Sequence, residues 1–194
     1  LVAAIDALET KPLTNLYYVD QSTMTATASS YQQDGSGPAN VLDGNPSTMW
    51  HTDWNITTMP HWIDLEMSGP TKISGIVYTP RQTGSNGNLT KYEIQVLING
   101  QYQKVAEGTL QNDSTVKEIS FDPVTTTNVR LVYQEAVNNN GSAAELQVVL
   151  ADIEVDLDGL QAAVDQANNV LASLDQDDYT AESWGAVTAV IAEA

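Results

Sequence analysis

From about Leu13 to Val155 the chain keeps a single apolar rhythm, and it is the rhythm of a strand. Met24, Ala26 and Ala28 alternate with Thr23, Thr25 and Thr27, and Ile63, Leu65 and Met67 alternate with Trp62, Asp64 and Glu66. Successive side chains of a strand point to opposite faces, so this period of two places one apolar set on a core and one polar set toward water. Ile73–Tyr78, Tyr92–Ile98, Val116–Phe121, Val129–Tyr133 and Leu146–Val155 also read as strands. Between them DGSGP, DGNP, SGP, TGSNGN, NG, QND and NNNG supply turn chemistry. At least seven strands with no helix between them predict an antiparallel β-sandwich. The stretches after Ser29, Asp43 and Pro80 are longer than connectors in a compact β domain need, which marks them as candidate functional loops.

The flanks have a different period. Leu1, Ala4, Ile5 and Leu8 have helical spacing until Pro12, and 1–12 reads as the tail of an upstream helical segment. Beginning at Leu1 without Met, the chain reads as a piece of a longer protein. After Asp156, Leu157, Leu160, Val164, Ala167, Leu171 and Leu174 form an apolar seam along one helix. DQDD breaks it, Thr180 is placed as the N-cap of a second helix, and Tyr179 and Trp184 are placed as its hydrophobic staple. The expected organisation is therefore a helical tail at 1–12, a β-sandwich at 13–156 and a partial helical hairpin at 157–194.

Charge narrows the partners. Seven Lys and Arg stand against 25 Asp and Glu, for a formal net charge of −18. Nucleic acid and acidic membrane lipid are excluded as partners, because both are bound through clustered cations. No apolar run approaches the roughly 20 residues of a membrane span. Cysteine is absent, which removes disulfides, thiolate metal sites and cysteine nucleophiles.

Three loop segments carry candidate chemistry. In VLDGNPSTMWHTDW, Asp43, Asn45 and Thr48 set hard oxygen donors around a tight turn, as Ca²⁺ requires; the same spacing also describes an ordinary turn in which Asp43 caps its own backbone. Further along the same run, His51 and Trp54 combine an imidazole that can exchange hydrogen bonds with a sugar hydroxyl and an indole face that packs on a pyranose. Trp50 and Trp62 are expected to anchor the core instead. In YTPRQTGSNGN, Arg81 stands beside Asn86 and Asn88, where a planar guanidinium offers fixed donors for vicinal hydroxyls or pairs with one of the many acids. Arg130 reads as structural, and Asp64 with Glu66 reads as a solvated strand face. No nucleophile elbow, P-loop, HExxH or strand-borne GxGxxG is present, so the residues point to binding and not to catalysis.

The ordered series NVLDGNPSTMWHTDW, HWIDLEMSGPTKISGIVYTPRQTGSNGNLTKYEIQV, NVRLVY and AAELQVV resembles a discoidin-type (coagulation factor 5/8 type C) domain over about residues 20–155. Within that group it is most similar to carbohydrate-binding module family 32. The resemblance implies a mainly β, jelly-roll sandwich of the galactose-binding-domain-like kind with binding loops at one end. It implies a structural Ca²⁺ held by the carbonyls of Asn40 and Ala144 with Asp43, Asn45, Thr48 and Glu145. It implies a site for terminal galactose or N-acetylhexosamine built from His51, Trp54, Arg81 and Asn86 or Asn88, with Asp34 as the acidic residue of the loop after the first strand. Where some members carry a late-loop aromatic platform, this chain has Asn138, Asn139, Asn140 and Gly141, which leaves Trp54 or Tyr31 for that role. LQAAVDQANNVLASLDQDDYTAESW resembles the start of a FIVAR-type helical repeat. Together these imply a non-catalytic module of a secreted or cell-wall-attached bacterial glycoside hydrolase, whose partners are a glycan and the rest of that enzyme. A protein-interaction or adhesion domain is the alternative.

Overall fold

In the computed structural model the described residues are 17–151, 157–173, 175–178 and 180–193. The expected helix before Pro12 and the staple residue Tyr179 lie outside them. Two compact units are present, and the first is Leu16–Ile153. Its described strands are β1 (Thr25–Ala28), β2 (Trp50–His51), β3 (His61–Thr79), β4 (Leu89–Ile98), β5 (Gln101–Thr109), β6 (Lys117–Ala136), β7 (Ser142–Ala143) and β8 (Glu145–Leu150). The main ladder runs β1-β3-β6-β4-β5, β8 pairs with β3, and β2 pairs with β7. Every pairing is antiparallel, as the alternating pattern requires.

The SGP stretch, expected to be a turn, lies inside β3. There the strand steps from Glu66 to Thr71 while its partner steps only from Asn128 to Thr126. A second irregularity sets Ile73–Gly75 against Val124–Ser120 of β6. Pro70 and Pro123 fall in these two bulges, where a residue without an N–H breaks no ladder hydrogen bond. The bulges bend both long strands, so that Ile63–Glu66 pairs with β1 while Ile73–Thr79 pairs with β8. Strand β5 escaped the alternating pattern because it is an edge: most of Gln101–Thr109 is exposed or half-buried, so little selects for apolar residues. It follows β4 through Asn99–Gly100, both at positive φ (51° and 78°), the conformation of a tight hairpin turn.

Trp50, Tyr78, Tyr133, Ile63, Leu65, Ile94, Leu131 and Leu146 are almost wholly buried and form the core. Trp50 meets Tyr133 edge-on, with centroids 5.4 Å apart, and donates from Nε1 to the Ser30 carbonyl at 2.9 Å. The Tyr78 and Tyr133 hydroxyls both donate to the Ser142 carbonyl, at 3.1 and 3.0 Å. The core therefore fixes β7, and β7 pairs His51 with Ser142.

Two sequence expectations change on the outer face of the ladder. Asp64 is buried, 4% exposed, and is ion-paired to Arg130 at 3.2 Å. It is therefore not a solvated acid: Arg130, Trp62 and Tyr102 cover it. Trp62 is only half-buried and packs on the Arg130 guanidinium instead of filling the interior.

In the second unit the described helices are α1 (Leu157–Ser173) and α2 (Ala181–Glu193). Of the expected seam, Val164 is buried and Ala167 half-buried; Leu174 and the side chains of Leu157, Leu160 and Leu171 are outside the described set. Thr180 caps α2, its Oγ1 accepting from the Ser183 amide at 3.2 Å. No described helix is long and apolar enough to cross a membrane.

Candidate functional site

His51 sits at the end of β2, 3% exposed. Its backbone amide donates to the Ser36 carbonyl (3.1 Å) and its carbonyl accepts from the Gln32 amide (2.9 Å), so the loop after β1 is stitched to it. Its ring Nδ1 lies 2.7 Å from the Thr52 carbonyl. A carbonyl only accepts, so Nδ1 carries the proton and Nε2 presents a lone pair. That lone pair accepts from Asn86 Nδ2 at 3.0 Å. Burial, then the nearby Arg81 cation, holds the His51 pKa below its ordinary value.

The 80–88 loop brings Arg81 and Asn86 to the same place. Arg81 donates from Nε to the Thr83 carbonyl at 2.7 Å and from Nη1 to the Asn86 carbonyl at 3.2 Å. These bonds shape its own loop and leave its other N–H groups uncommitted. The Asn86 carbonyl also accepts from Ser142 Oγ at 3.0 Å. Asn88, two residues on, is buried at 3% exposed, and its amide donates to Asn112 Oδ1 at 3.0 Å. That bond ties the 80–88 loop to Asn112, and no hydrogen bond between Asn88 and His51 is present among the described residues.

Trp54 stands over His51, its ring perpendicular to the imidazole (87°) with centroids 6.2 Å apart, and it is 58% exposed. Tyr31 is also exposed. Asp34 is exposed in the loop stitched to His51, where its Oδ1 accepts from the Ser36 amide at 3.1 Å. Hydrogen bonding to Ser36 holds its carboxyl below the usual range. The structure thus gathers His51, Trp54, Arg81 and Asn86, with Asp34 close enough to act on the His51 charge. Asn138 was not anticipated: its Nδ2 donates to Asn86 Oδ1 at 3.0 Å. The signal available for it was the Asn run itself, since Asn tolerates positive φ, and Asn138 and Asn139 have φ of 60° and 54°.

The 43–48 turn is a separate cluster. Asp43 accepts from the Asn45 amide at 2.8 Å and from Thr48 Oγ1 at 2.7 Å. Glu145, 8% exposed, accepts from Gln21 at 3.0 Å through Oε2, while its buried Oε1 has no partner. Burial and the neighbouring Asp43 carboxylate raise the Glu145 pKa. Burial also opposes ionisation of Asp43, but hydrogen bonds from Thr48 and Asn45 outweigh it and leave that carboxyl lowered. Asn40 anchors the turn, its side chain donating to the Gly35 and Met49 carbonyls at 2.7 and 2.8 Å. Ala144 is held by its amide on the Thr79 carbonyl at 2.9 Å. Among the described residues no three His, Cys, Asp or Glu side chains cluster. Two facing carboxylates, one with a buried oxygen lacking a donor, amid neutral oxygens nevertheless fit a hard cation such as Ca²⁺.

A family model described as F5/8 type C domain matches residues 25–146. Over 149 residues the chain is 39% identical to the A type blood N-acetyl-alpha-D-galactosamine deacetylase of Flavonifractor plautii, spanning 74% of this chain and 19% of that protein. Among solved structures, CpGH89CBM32-5 from Clostridium perfringens, in complex with GalNAc-β-1,3-galactose, is 36% identical with a TM-score of 0.66, and the match covers 68% of this chain and 99% of that one. The family 32 carbohydrate-binding module of C. perfringens NanJ, in complex with galactose, is 37% identical with a TM-score of 0.64, covering 68% and 97%.

Proposed function

This chain belongs to the F5/8 type C domain family, and from that membership we propose that it is a non-catalytic carbohydrate-binding module for terminal galactose or N-acetylhexosamine. The observation that carries this is the convergence of an exposed indole (Trp54), uncommitted guanidinium N–H groups (Arg81) and an amide (Asn86) on His51. An indole face packs on the C–H face of a pyranose, while fixed planar donors select the geometry of its hydroxyls. The sugars in the two C. perfringens complexes support this choice of ligand. So small a contact area favours weak affinity, raised by avidity when several modules act together. The module would keep a secreted or surface-attached bacterial glycoside hydrolase on its glycan, in keeping with its match to only 19% of the deacetylase's length.

The test is a glycan array with the wild-type chain, Arg81→Ala and Trp54→Ala. Selective retention of galactose- or N-acetylhexosamine-terminated glycans is expected. A hydrogen bond from a charged group contributes about 1.5–3 kcal/mol, so Arg81→Ala should weaken binding roughly ten- to hundredfold. Trp54→Ala should also abolish retention while shifting stability by no more than about 0.5 kcal/mol, because the ring is mostly in water. Binding that survives both changes would place the site elsewhere.

The second part of the proposal is a structural Ca²⁺ bound by Asp43, Asn45, Thr48 and Glu145 with the Asn40 and Ala144 carbonyls. The ion would balance the facing carboxylates and give Glu145 Oε1 a partner. A ligand bound only to the folded state stabilises it by about 2.7 kcal/mol at a hundredfold excess over its Kd. Chelation should therefore lower Tm by several degrees, Ca²⁺ should restore it, and Asp43→Asn should abolish the difference. Equal melting with and without chelator would overturn the assignment.

A further inference from the structure

Asn86 is an amide whose two ends are chemically opposite, and both are engaged inside the cleft. Its Nδ2 faces the His51 Nε2 lone pair at 3.0 Å and its Oδ1 faces Asn138 Nδ2 at 3.0 Å. The bonds form one directed line: Asn138 donates to Asn86, Asn86 donates to His51, and His51 Nδ1 donates to the Thr52 carbonyl at 2.7 Å. Turning the Asn86 amide over would face its oxygen with the lone pair of a neutral His51, losing that bond, and would keep the bond to Asn138 only if the Asn138 amide turned as well. The backbone on either side of Asn138 is held in place. The Asn139 carbonyl lies 3.1 Å from His61 Nε2, the Val137 carbonyl accepts from the Gly87 amide at 3.0 Å, and the Val137 amide donates to the Asn88 carbonyl at 3.0 Å.

We propose that Asn138 is a positioning residue of this cleft: it holds the Asn86 amide in the orientation that a neutral, Nδ1-protonated His51 requires, and so sets which of the Asn86 polar atoms face a bound sugar. The charged or titratable groups around His51 are Arg81 from the 80–88 loop, Asp34 from the loop after β1 and His61 of β3. None of these orients an amide: the Thr52 carbonyl sets the polarity of the line, and Asn138 holds Asn86 to it. Only the consequence for affinity rests on the glycan-binding reading. The state of His51 does not.

The experiment is NMR of the two imidazole rings, the only histidines in the chain, in the wild type, Asn138→Ala and Asn138→Asp. In the wild type, His51 should be the Nδ1–H tautomer and titrate below about 6.5. An aspartate at 138 only accepts, so Asn86 must turn its N–H groups toward it and its oxygen toward Nε2. His51 is then satisfied only as the imidazolium. Its titration should rise by about one pH unit or more, and affinity for methyl β-galactoside should become pH-dependent around neutrality. The alanine variant separates this from simple charge attraction. With no charge added, loss of the lock should still raise the His51 titration, whereas a purely coulombic effect would leave it unmoved. His61, held on the Asn139 carbonyl, reports loop integrity and should keep its signals. An unchanged His51 tautomer and titration in Asn138→Ala would overturn the proposal. A wild type that binds no galactoside but shows the expected His51 shifts would overturn the ligand assignment and leave the positioning role standing.

Discussion

Arg130→Ala is expected to destabilise the sandwich by about 3–5 kcal/mol, the penalty for leaving a buried carboxylate without its cation. Asp64 is 4% exposed and lies 3.2 Å from Arg130 Nη2. The guanidinium is held between two rings, 4.1 Å from the Trp62 centroid and 3.7 Å from that of Tyr102. The Tyr102 hydroxyl donates to the same Asp64 oxygen, and burial with that carboxylate pushes the phenol up to about 12. Lysine cannot replace this plane, because a point ammonium does not stack between two rings. Since Asp64 Oδ1 and Arg130 Nε are already without partners, the cluster has no reserve donor to take over. Urea unfolding of Arg130→Ala measures the loss, and the double variant Asp64→Leu/Arg130→Met should recover part of it because it removes both charges. Unfolding of Arg130→Ala at the wild-type midpoint would show that the pair is not holding the face.

Gly87→Ala should be nearly as damaging and should also remove sugar binding. At φ +81 a side chain is strained by about 1–2 kcal/mol. The new Cβ would also lie 2.8 Å from the Gly141 carbonyl carbon and 2.9 Å from the Ser142 amide nitrogen. Backbone cannot rotate out of the way, and overpacking of this kind adds about 1–3 kcal/mol. The strand ends would have to part, breaking the Ser142 amide bond to the Gly87 carbonyl (2.9 Å) and displacing Asn86 from His51. Gly100→Ala is the control. Its φ of +78 is equally left-handed, but nothing lies within 4 Å of its Cβ, so only the conformational cost should appear. Thermal melts of both variants with a glycan retention assay decide the matter. Equal losses for the two would mean that the close approach at Gly87 is unimportant.

The ladder was legible wherever one face met the core and the other met water, as in Ile63–Leu65–Met67. It was not legible at β5, whose edge position leaves few residues in need of an apolar identity. Nor was it legible at SGP, because a proline in a bulge and a proline in a turn look alike in sequence. Asp64 read as solvated because its cover comes from strands distant in sequence, Arg130 of β6 and Tyr102 of β5. In the cleft, His51, Trp54 and Arg81 could be named from their loops. The choice between Asn86 and Asn88 could not, since the turn at Gly87 separates two like amides, one bonded to His51 and the other to Asn112. Asn138 was hidden because its role lies in a partner 52 positions away.

The sandwich also begins and ends at a single place. The Leu150 amide donates to the Tyr17 carbonyl at 2.8 Å, the Val19 amide donates to the Val148 carbonyl at 2.9 Å, and Tyr18 bridges Val149 in the antiparallel sense. A segment whose two ends leave side by side can be inserted into a host polypeptide, duplicated or deleted without forcing the host's own segments apart. The same geometry decides how the module takes a mechanical load. Tension drawn through both flanks would act across this short antiparallel pair and open its hydrogen bonds one after another, while the β3–β6 ladder behind it is spared the first of the strain.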